Sequence, residues 1–370
     1  MNALTPIRGR GVDVDRWIDP DEWCDPMSYE ELKYTFNQID KAGDYIRNND
    51  VANVSDAFDI VFNWRNAHRY PLHILYVTMK QRAKKVDPRA LAAQRMKRFE
   101  SILRKIYRNN TMQLSQMQDV GGCRAIVHGQ KQLVELVKIY RSSPLRHDFQ
   151  GIKDYISSPK ADGYRSVHVM YRFVGNASTC AWNKLRVEIQ LRTKLQHSWA
   201  TAVETVDTFT DEGLKFGGGS SDWKRFFQLM GSVHAHLEGT SFVPNTPSDI
   251  EQLRSAVREL EKKLNVINLL NSWAHLTKEI QGTKGGKDYW YLIEIRPVKR
   301  EIYIQTFSAN KTDDANMKYK DVELKNKGTT NNAALVSVNS LSNLQKTYPN
   351  YFADTEMFTS SLGHFLGRGQ

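Results

Sequence analysis

The feature that most constrains this chain is a run of strict alternation over residues 185–192. Leu185, Val187, Ile189 and Leu191 point one way, and Arg186, Glu188, Gln190 and Arg192 point the other. Successive side chains of a strand face opposite sides, so this period demands a β-strand with one buried and one polar face. The polar face sets one carboxylate between two guanidiniums, with an amide beside it. Taken alone, a merely solvated strand face would read the same way.

Neighbouring stretches give that face company. Tyr164-Arg165-Ser166-Val167-His168-Val169-Met170-Tyr171 also alternates, with Tyr164, Ser166 and His168 on one face. Upstream, Asp119-Val120-Gly121-Gly122-Cys123-Arg124 leads an acid and two glycines into a third apolar strand. Downstream, residues 194–208 have helical periodicity, with His197, Thr201 and Glu204 on one side. If the strands are neighbours, Asp119, Arg124, Tyr164, His168, Glu188, Gln190 and Arg192 meet on one surface.

These motifs resemble the synthetase domain of the RelA/SpoT family. They are Asp119-Val-Gly-Gly-Cys-Arg124, Gly163-Tyr164-Arg165-Ser166-Val167-His168 after Asp154-Tyr155-Ile156 and Pro159-Lys160, and Glu188-Ile-Gln190-Leu-Arg192-Thr193 before His197 and Trp199. A basic stretch, Arg95-Met-Lys97-Arg-Phe-Glu-Ser101-Ile102-Leu-Arg104-Lys105, precedes them in the family's order. The resemblance implies transfer of pyrophosphate from ATP to a ribose 3′ hydroxyl. It also implies an α/β (α+β) fold: a mixed central β-sheet flanked by helices, nucleotidyltransferase-like, plus a small α+β C-terminal domain. The expected division is 1–80 as a helical region, 81–240 as the pyrophosphokinase domain and 241–370 as a regulatory domain.

Composition bounds the rest. The chain has 370 residues, 40% hydrophobic and 25% charged, which is ordinary for a globular protein with an ample core. It has no apolar run long enough to span a membrane and no basic-then-apolar leader. Cys24, Cys123 and Cys180 are scattered, with no zinc-site spacing, which predicts a reduced, cytoplasmic setting. The net charge of +11 is concentrated: residues 80–108 hold eleven Lys and Arg against Asp87 and Glu100. Such a stretch expects phosphate, or else forms a solvated helix face.

Along the chain, residues 1–80 read as helical with breaks near Pro20, Pro26 and Pro71. Residues 63–72, dense in aromatic and basic groups, form either a packing corner or a stacking surface for a nucleotide chain. Asp87-Pro88 predicts a helix start, and residues 95–97 an extended segment with helix again from about Ser101. Residues 148–163 and 308–333 read as loops. A capping box at 248–251 opens one long helix through Leu253, Val257, Leu260, Leu264 and Ile267. Residues 289–296 and 301–307 predict a hairpin, 334–338 a short strand, and 341 onwards a helix.

The resemblance assigns roles. Pyrophosphate transfer needs charge neutralisation, a positioned hydroxyl and a proton acceptor. Asp119 and Glu188 are the natural carboxylates for Mg2+. Asp119 binds the metal unless it is only a turn residue, and Glu188 binds it or takes the hydroxyl proton. Arg95, Lys97, Lys105 and Arg124 serve ATP, since guanidiniums pair with phosphate and stack on bases. Ser101 is a helix cap or a phosphate donor. Lys160, Tyr164, His168, Gln190 and Arg192 surround the acceptor, with Tyr164 stacking on its base. His197 and Glu204 are supports.

Three functions fit: a synthetase acting on free nucleotides to make (p)ppGpp or (p)ppApp, a pyrophosphokinase acting on the tRNA 3′ end, and a binding module with a dead site. Paired carboxylates argue against the last. The basic stretch, the lack of a preceding hydrolase-like domain and the extra C-terminal domain favour tRNA. The layout resembles the CapRel type of fused toxin–antitoxin, in which a toxic small synthetase precedes a pseudo-zinc-finger antitoxin domain, and no cysteine follows Cys180 here. That resemblance implies autoinhibition relieved by a phage protein, such as a capsid protein, in antiviral defence. Tyr348-Pro349-Asn350-Tyr351-Phe352 is the candidate contact, with Tyr348 or Tyr351 blocking the ATP site. Alternatively these aromatics are the small domain's own core.

Overall fold

The computed structural model describes residues 29–50, 52–142, 145–210, 214, 218–276, 280–281, 289–296, 301–308, 311–326, 329, 331–338, 346, 348–349 and 354–367. Helices α1 (Phe36–Arg47), α2 (Val54–Ala67) and α3 (Arg69–Val86) lead into β1 (Leu91–Met96), α4 (Phe99–Arg108), β2 (Gly121–Val127) and α5 (Gln130–Ser142). Then come β3 (Asp148–Asp154), β4 (Val167–Arg172), β5 (Arg186–Thr193), α6 (Lys194–Thr210) and α7 (Ser221–Glu238). The remainder is α8 (Ile250–Leu264), α9 (Val266–Leu276), β6 (Ile280–Gln281), β7 (Tyr289–Arg296), β8 (Glu301–Ser308), α10 (Thr312–Asn326), β9 (Asn332–Val338) and α11 (Glu356–Phe365). Among the described residues no helix is long and apolar enough to cross a membrane.

Nine described strands form one sheet in the order β3-β4-β5-β2-β1-β9-β7-β8-β6. It is a mixed sheet: β2 and β5 run parallel, as do β6 and β8, and the other neighbours are antiparallel. The alternation at residues 185–192 does what its period requires. Val187, Ile189 and Leu191 are fully buried in the main core, with Val169, Cys123 and Ala125 from the neighbouring strands. Helices α3 and α5 pack against this part of the sheet. The polar residues between them form the other face.

The small C-terminal strands do not make a separate sheet. β9 adds to the edge of β1 through Gln94↔Ser337 and Arg95↔Val336. A free strand edge is a row of unpaired backbone groups, so this pairing gives β1 a partner it otherwise lacks on that side. Behind the added strands, α10 buries Tyr319 with Trp290, Leu292 and Leu335.

The helices of residues 241–370 are likewise fused to the rest. Leu253, Val257, Val266, Leu270, Phe358 and Leu362 share one core with Trp199 of α6 and Phe226 and Phe227 of α7. Burying an aromatic such as Phe358 contributes roughly 1.5–3 kcal/mol. His234 of α7 sits beneath this packing and hydrogen-bonds Ser361 Oγ at 3.0 Å. This hydrophobic cluster therefore has members on both sides of the expected boundary near residue 240.

Several local expectations change. Asp87 does not open a helix; it ends α3, and its carboxylate accepts from the Arg89 and His128 backbone N–H groups at 2.9 and 2.8 Å. Pro71 lies inside the first turn of α3, where no intrahelical N–H is missed, so the break falls at His68 instead. The helix expected from about Ser101 begins at Phe99. Part of the loop expected at 148–163 is β3, and part of the one at 308–333 is α10. The single long helix is two, because Asn265 adopts a left-handed conformation (φ 50°) between α8 and α9. The hairpin β7–β8 forms as expected, while residues 339–345 lie outside the described residues. Residues 63–72 are a packing corner: Trp64, Arg65, His68, Arg69 and Tyr70 are all buried.

Helix α7 crosses the segment before Tyr164 at very short range. A Cβ on Gly231 would lie 2.7 Å from Gly163 O and 2.9 Å from Val243 Cγ2, distances real Cβ atoms do not reach. Gly231→Ala is expected to destabilise by roughly 1–3 kcal/mol, as overpacking does, read as a lower urea midpoint at unchanged slope. A second outcome concerns pH. Burial holds His234 down to about 3, so the folded state favours the neutral ring. Its contribution is complete above the ordinary histidine value of 6.5 and is lost progressively as pH falls toward about 3. Unfolding free energies measured across that window should fall more steeply for the wild type than for His234→Gln.

Candidate active site

The polar face carries the residues that sequence reasoning put together. Register sets Gly122 beside Glu188, Arg124 beside Gln190, and His168 beside Gln190 on its other side. Arg95 of β1 lies opposite Gly122. Strand alternation aims position 122 at this face, and a glycine there leaves the floor open between Arg95 and Glu188.

Asp119 precedes β2 and accepts two charged hydrogen bonds, from Lys97 Nζ at 2.7 Å and Lys105 Nζ at 3.0 Å. Burial works to raise its pKa, but the two ammoniums outweigh burial and hold the carboxyl well below the usual carboxylate range. It is ionised and bridged, not a mere turn residue. Burial pushes Lys97 down, and Asp119 opposes that. Ser101 is not the cap of α4, since Arg98 occupies the cap position, and Ser101 does not line the cavity described below.

Glu188 belongs to a closed ring of five side chains. His168 Nδ1 lies 2.8 Å from Glu188 Oε1, and Tyr164 Oη lies 2.7 Å from His168 Nε2. An Arg192 NH2 donates to Tyr164 Oη at 2.6 Å and to Gln190 Oε1 at 2.9 Å. Gln190 Nε2 donates to Glu188 Oε2 at 2.7 Å and closes the ring. Burial raises the Glu188 pKa, yet His168 and Gln190 more than offset it, so the carboxyl stays ionised. That fixes the directions at both ends: arginine only donates, and a carboxylate only accepts, so the His168 Nδ1–H donates to Glu188. Tyr164 Oη accepts from Arg192 and shares a further hydrogen bond with His168 Nε2.

The ring stands between two cavities. On one side, about 70 Å³ is enclosed by Arg95, Lys97, Asp119, Gly122, Cys123, Arg124, Glu188, Gln190 and Tyr348. On the other, about 740 Å³ is lined by Lys160, Tyr164, Arg192, Trp199, Phe227, Lys224 and others. The Lys160 ammonium lies over the rings of Tyr155 and Tyr164 at 4.6 and 5.0 Å. Cys123 is buried, and burial pushes its thiol up, so it is unreactive there.

The two expected supports separate. His197 lines a third cavity, on the far side of α6, while Glu204 borders the large one. The basic stretch is not one patch either: Arg82 is buried under the ring of Tyr140, Lys97 and Lys105 each pair with Asp119 through one of their donors, and Arg104 pairs with Glu100. Sequence reasoning missed Trp199 and Phe227 as walls of the large cavity. It also missed Tyr155, which packs edge-on against His168 at 5.2 Å, although Tyr155 sits within a quoted motif.

Tyr348 lies on the site. It is 3% exposed, its hydroxyl donates to Gln94 O at 3.1 Å, and the Arg124 guanidinium is 5.8 Å from its ring centre. Burial, with the nearby charge of Arg192, holds Arg124 down to about 10. Tyr348 also packs with Tyr291, Val336 and Ala93, so it is at once small-domain core and cavity wall. Tyr351 lies outside the described residues. The C-terminal part reaches α4 as well: the Phe99 N–H donates to Glu323 Oε2 at 3.1 Å, and the Arg65 guanidinium covers the Tyr319 ring at 4.7 Å. Burial pushes the Glu323 carboxyl up.

Among the described residues no cluster of three or more His, Cys, Asp or Glu could hold a metal unaided. Asp119 and Glu188 on one cavity nonetheless suit Mg2+, which takes one or two carboxylates and completes its shell with phosphate and water.

Comparison with known proteins gives this geometry a context. The chain is 31% identical over 113 residues to the GTP pyrophosphokinase YwaC of Bacillus subtilis, covering 29% of this chain and 52% of that protein. It is 36% identical over 104 residues to the guanosine-3′,5′-bis(diphosphate) 3′-pyrophosphohydrolase of Borreliella burgdorferi, covering 27% and 14%. The chain thus spans about half the length, or less, of these curated relatives. Among solved structures, small alarmone synthetase 1 of Bacillus subtilis bound to its product pppGpp aligns at a TM-score of 0.40 and 22% identity, over 50% of this chain and 94% of that one. Residues 94–207 match the family model described as the region found in RelA/SpoT proteins, and over that span the chain carries a RelA/SpoT-type domain.

Proposed function

We propose that this chain is an ATP-dependent pyrophosphokinase that transfers pyrophosphate to the 3′ hydroxyl of the tRNA CCA end, blocking aminoacylation. The observation that carries this reading is the placement of Asp119 and Glu188 on one small cationic cavity, with the Glu188 ring opening onto a larger aromatic one. The small cavity is the donor side. Arg95, Lys97, Lys105 and Arg124 bind the ATP phosphates, and Asp119 with Glu188 would hold Mg2+. When bound, the metal neutralises charge on the triphosphate.

The large cavity is the acceptor side. Tyr164, held from below by Arg192, stacks on the terminal base with Lys160 and Arg192 beside it, and His168 and Gln190 serve the acceptor from behind, through the ring that joins them to Tyr164, Arg192 and Glu188. Glu188 is ionised and aimed by two donors, so it accepts the hydroxyl proton as the oxygen attacks the β-phosphorus and AMP leaves. The cavity of about 740 Å³, with Trp199 and Phe227 in its walls, has room for a nucleoside end and a ring for its base to stack on.

The reading includes restraint by the C-terminal part. With Tyr348 in its wall, the donor cavity holds about 70 Å³, against roughly 300–1,000 Å³ for small-molecule sites. Glu323 and Tyr319 grip the start of α4 at the same time. A phage protein that binds the released form of residues 241–370 better than the docked form would open the site. The intracellular setting and the role in antiviral defence belong to this same proposal.

Labelled ATP offered with either tRNA or GDP/GTP decides the acceptor. Label from the β and γ phosphates is expected on tRNA; label on guanosine nucleotides alone would replace the tRNA reading with alarmone synthesis. Asp119→Asn and Glu188→Gln are expected to abolish transfer in folded protein, and Tyr164→Ala to weaken acceptor use by roughly 1–3 kcal/mol, the value of one stacked base.

Restraint is best tested by point substitution. Deleting everything after about Ser241 would strip α8, α9 and α11 from the core around Trp199 and Phe226. Tyr348→Ala in the full chain is expected to raise ATP binding and turnover. Tyr348→Phe, which loses only the bond to Gln94 O, should do so less. Unchanged or lower activity in a folded Tyr348→Ala protein would show that this residue supports the enzyme.

A further inference from the structure

A third cavity, of about 480 Å³, lies at the seam between the catalytic strands and the C-terminal segment. Arg89 and Leu91 at the start of β1, Ile126 of β2 and the first two turns of α6 form one side. Lys346, Pro349, Asp354, Thr355 and Met357 form the other. Its volume falls within the range of about 300–1,000 Å³ that small-molecule sites occupy.

The lining states what it would take. Arg89, Lys194 and Lys346 bring three cations from three different segments, against the one acid Asp354. Lys194 and His197 belong to the first turn of α6, a 17-residue helix whose dipole adds positive potential at that end. Deeper in, Thr201 is 3% exposed and lines the cavity, and its hydroxyl has no hydrogen-bond partner among the described residues. A buried hydroxyl without a partner costs roughly 1–3 kcal/mol, which a bound acceptor oxygen would recover. Leu91, Ile126, Pro349 and Met357 supply an apolar wall suited to a flat ring.

We propose that this seam is a binding site for a small phosphate-bearing ligand of nucleotide size, separate from the two cavities that flank Glu188. The phosphate meets Arg89, Lys194 and Lys346, and the Thr201 hydroxyl donates to the ligand. Lys346 and Pro349 flank Tyr348, so a ligand bridging them to α6 binds only while that segment is docked. By linkage it holds the docked segment in place. The binding claim stands on the seam alone; its consequence for activity rests on the proposed restraint by Tyr348.

Calorimetric titration of the full chain with AMP, and separately with inorganic phosphate, tests the site. The expected result is one AMP site, weakened at least tenfold by Lys194→Ala and by Thr201→Val and unchanged by Tyr164→Ala. Lys346→Ala, at an exposed position, provides a third variant should Thr201→Val fold poorly. AMP binding well above phosphate binding identifies a nucleotide as the occupant, and equal binding identifies phosphate. Binding that survives the Lys194, Thr201 and Lys346 variants overturns the proposal, placing the ligand in the large cavity if Tyr164→Ala abolishes it and on the donor side if it does not, and no binding of either probe overturns it as well. If AMP binds at the seam yet leaves the activity of the wild type unchanged, the site stands and the restraint by Tyr348 is what fails.

Discussion

The arrangement depends on the ionised carboxylate of Glu188 and the guanidinium of Arg192, joined in two ways around one ring. Gln190 connects them on one side, and Tyr164 with His168 on the other. Because one end only accepts and the other only donates, the hydrogen bonds that meet Glu188 and Arg192 each have one direction. Such a ring orders its members cooperatively, and its low-dielectric setting makes any broken link costly. Glu188 and Gln190 line the cationic cavity, while Tyr164 and Arg192 at the other end of the ring line the aromatic one.

The second constraint is the edge of β1. A strand that carries Arg95 on one face and an open edge on its flank invites a partner, and β9 supplies it. The continuous sheet then fixes where the added strands go and brings Tyr348 over the cationic cavity with Ala93, Tyr291 and Val336 beneath it. On the opposite face, α10 reaches the first backbone N–H of α4. One contact acts on β1, which carries Arg95 of the cationic cavity, and the other on α4, whose Lys105 pairs with Asp119 of that cavity. Release of the C-terminal part would therefore alter the cavity wall and the start of α4 together.

The site was legible where the sequence pattern has the period of the structure. The strands around Glu188 and His168 alternate without interruption, and their apolar halves belong to one core, so no other register hides them. The misread elements lack such a pattern. α10 has its apolar groups scattered, with Met317 and Leu324 exposed, and becomes a helix by packing on β7–β9. The heptad-like run after Asp249 looks continuous because leucine spacing does not register a left-handed residue at Asn265. Asp87-Pro88 has the residues of a helix start, but its carboxylate is spent on the turn into β1 and on His128.

What the sequence by itself determined is one polar surface: which side chains share a face, and that carboxylates, guanidiniums and a tyrosine lie on it. Local period is enough for that, since alternation follows from backbone geometry alone. Only the tertiary structure decided that Lys97 and Lys105 both close on Asp119, that Arg82 leaves the basic stretch for the core, and that His197 and Glu204 border different cavities. It also decided that β9 pairs with β1 and that α8, α9 and α11 share a core with α6 and α7. These outcomes turn on contacts between residues far apart in sequence, whose pairing depends on how sheet edges and helix faces meet.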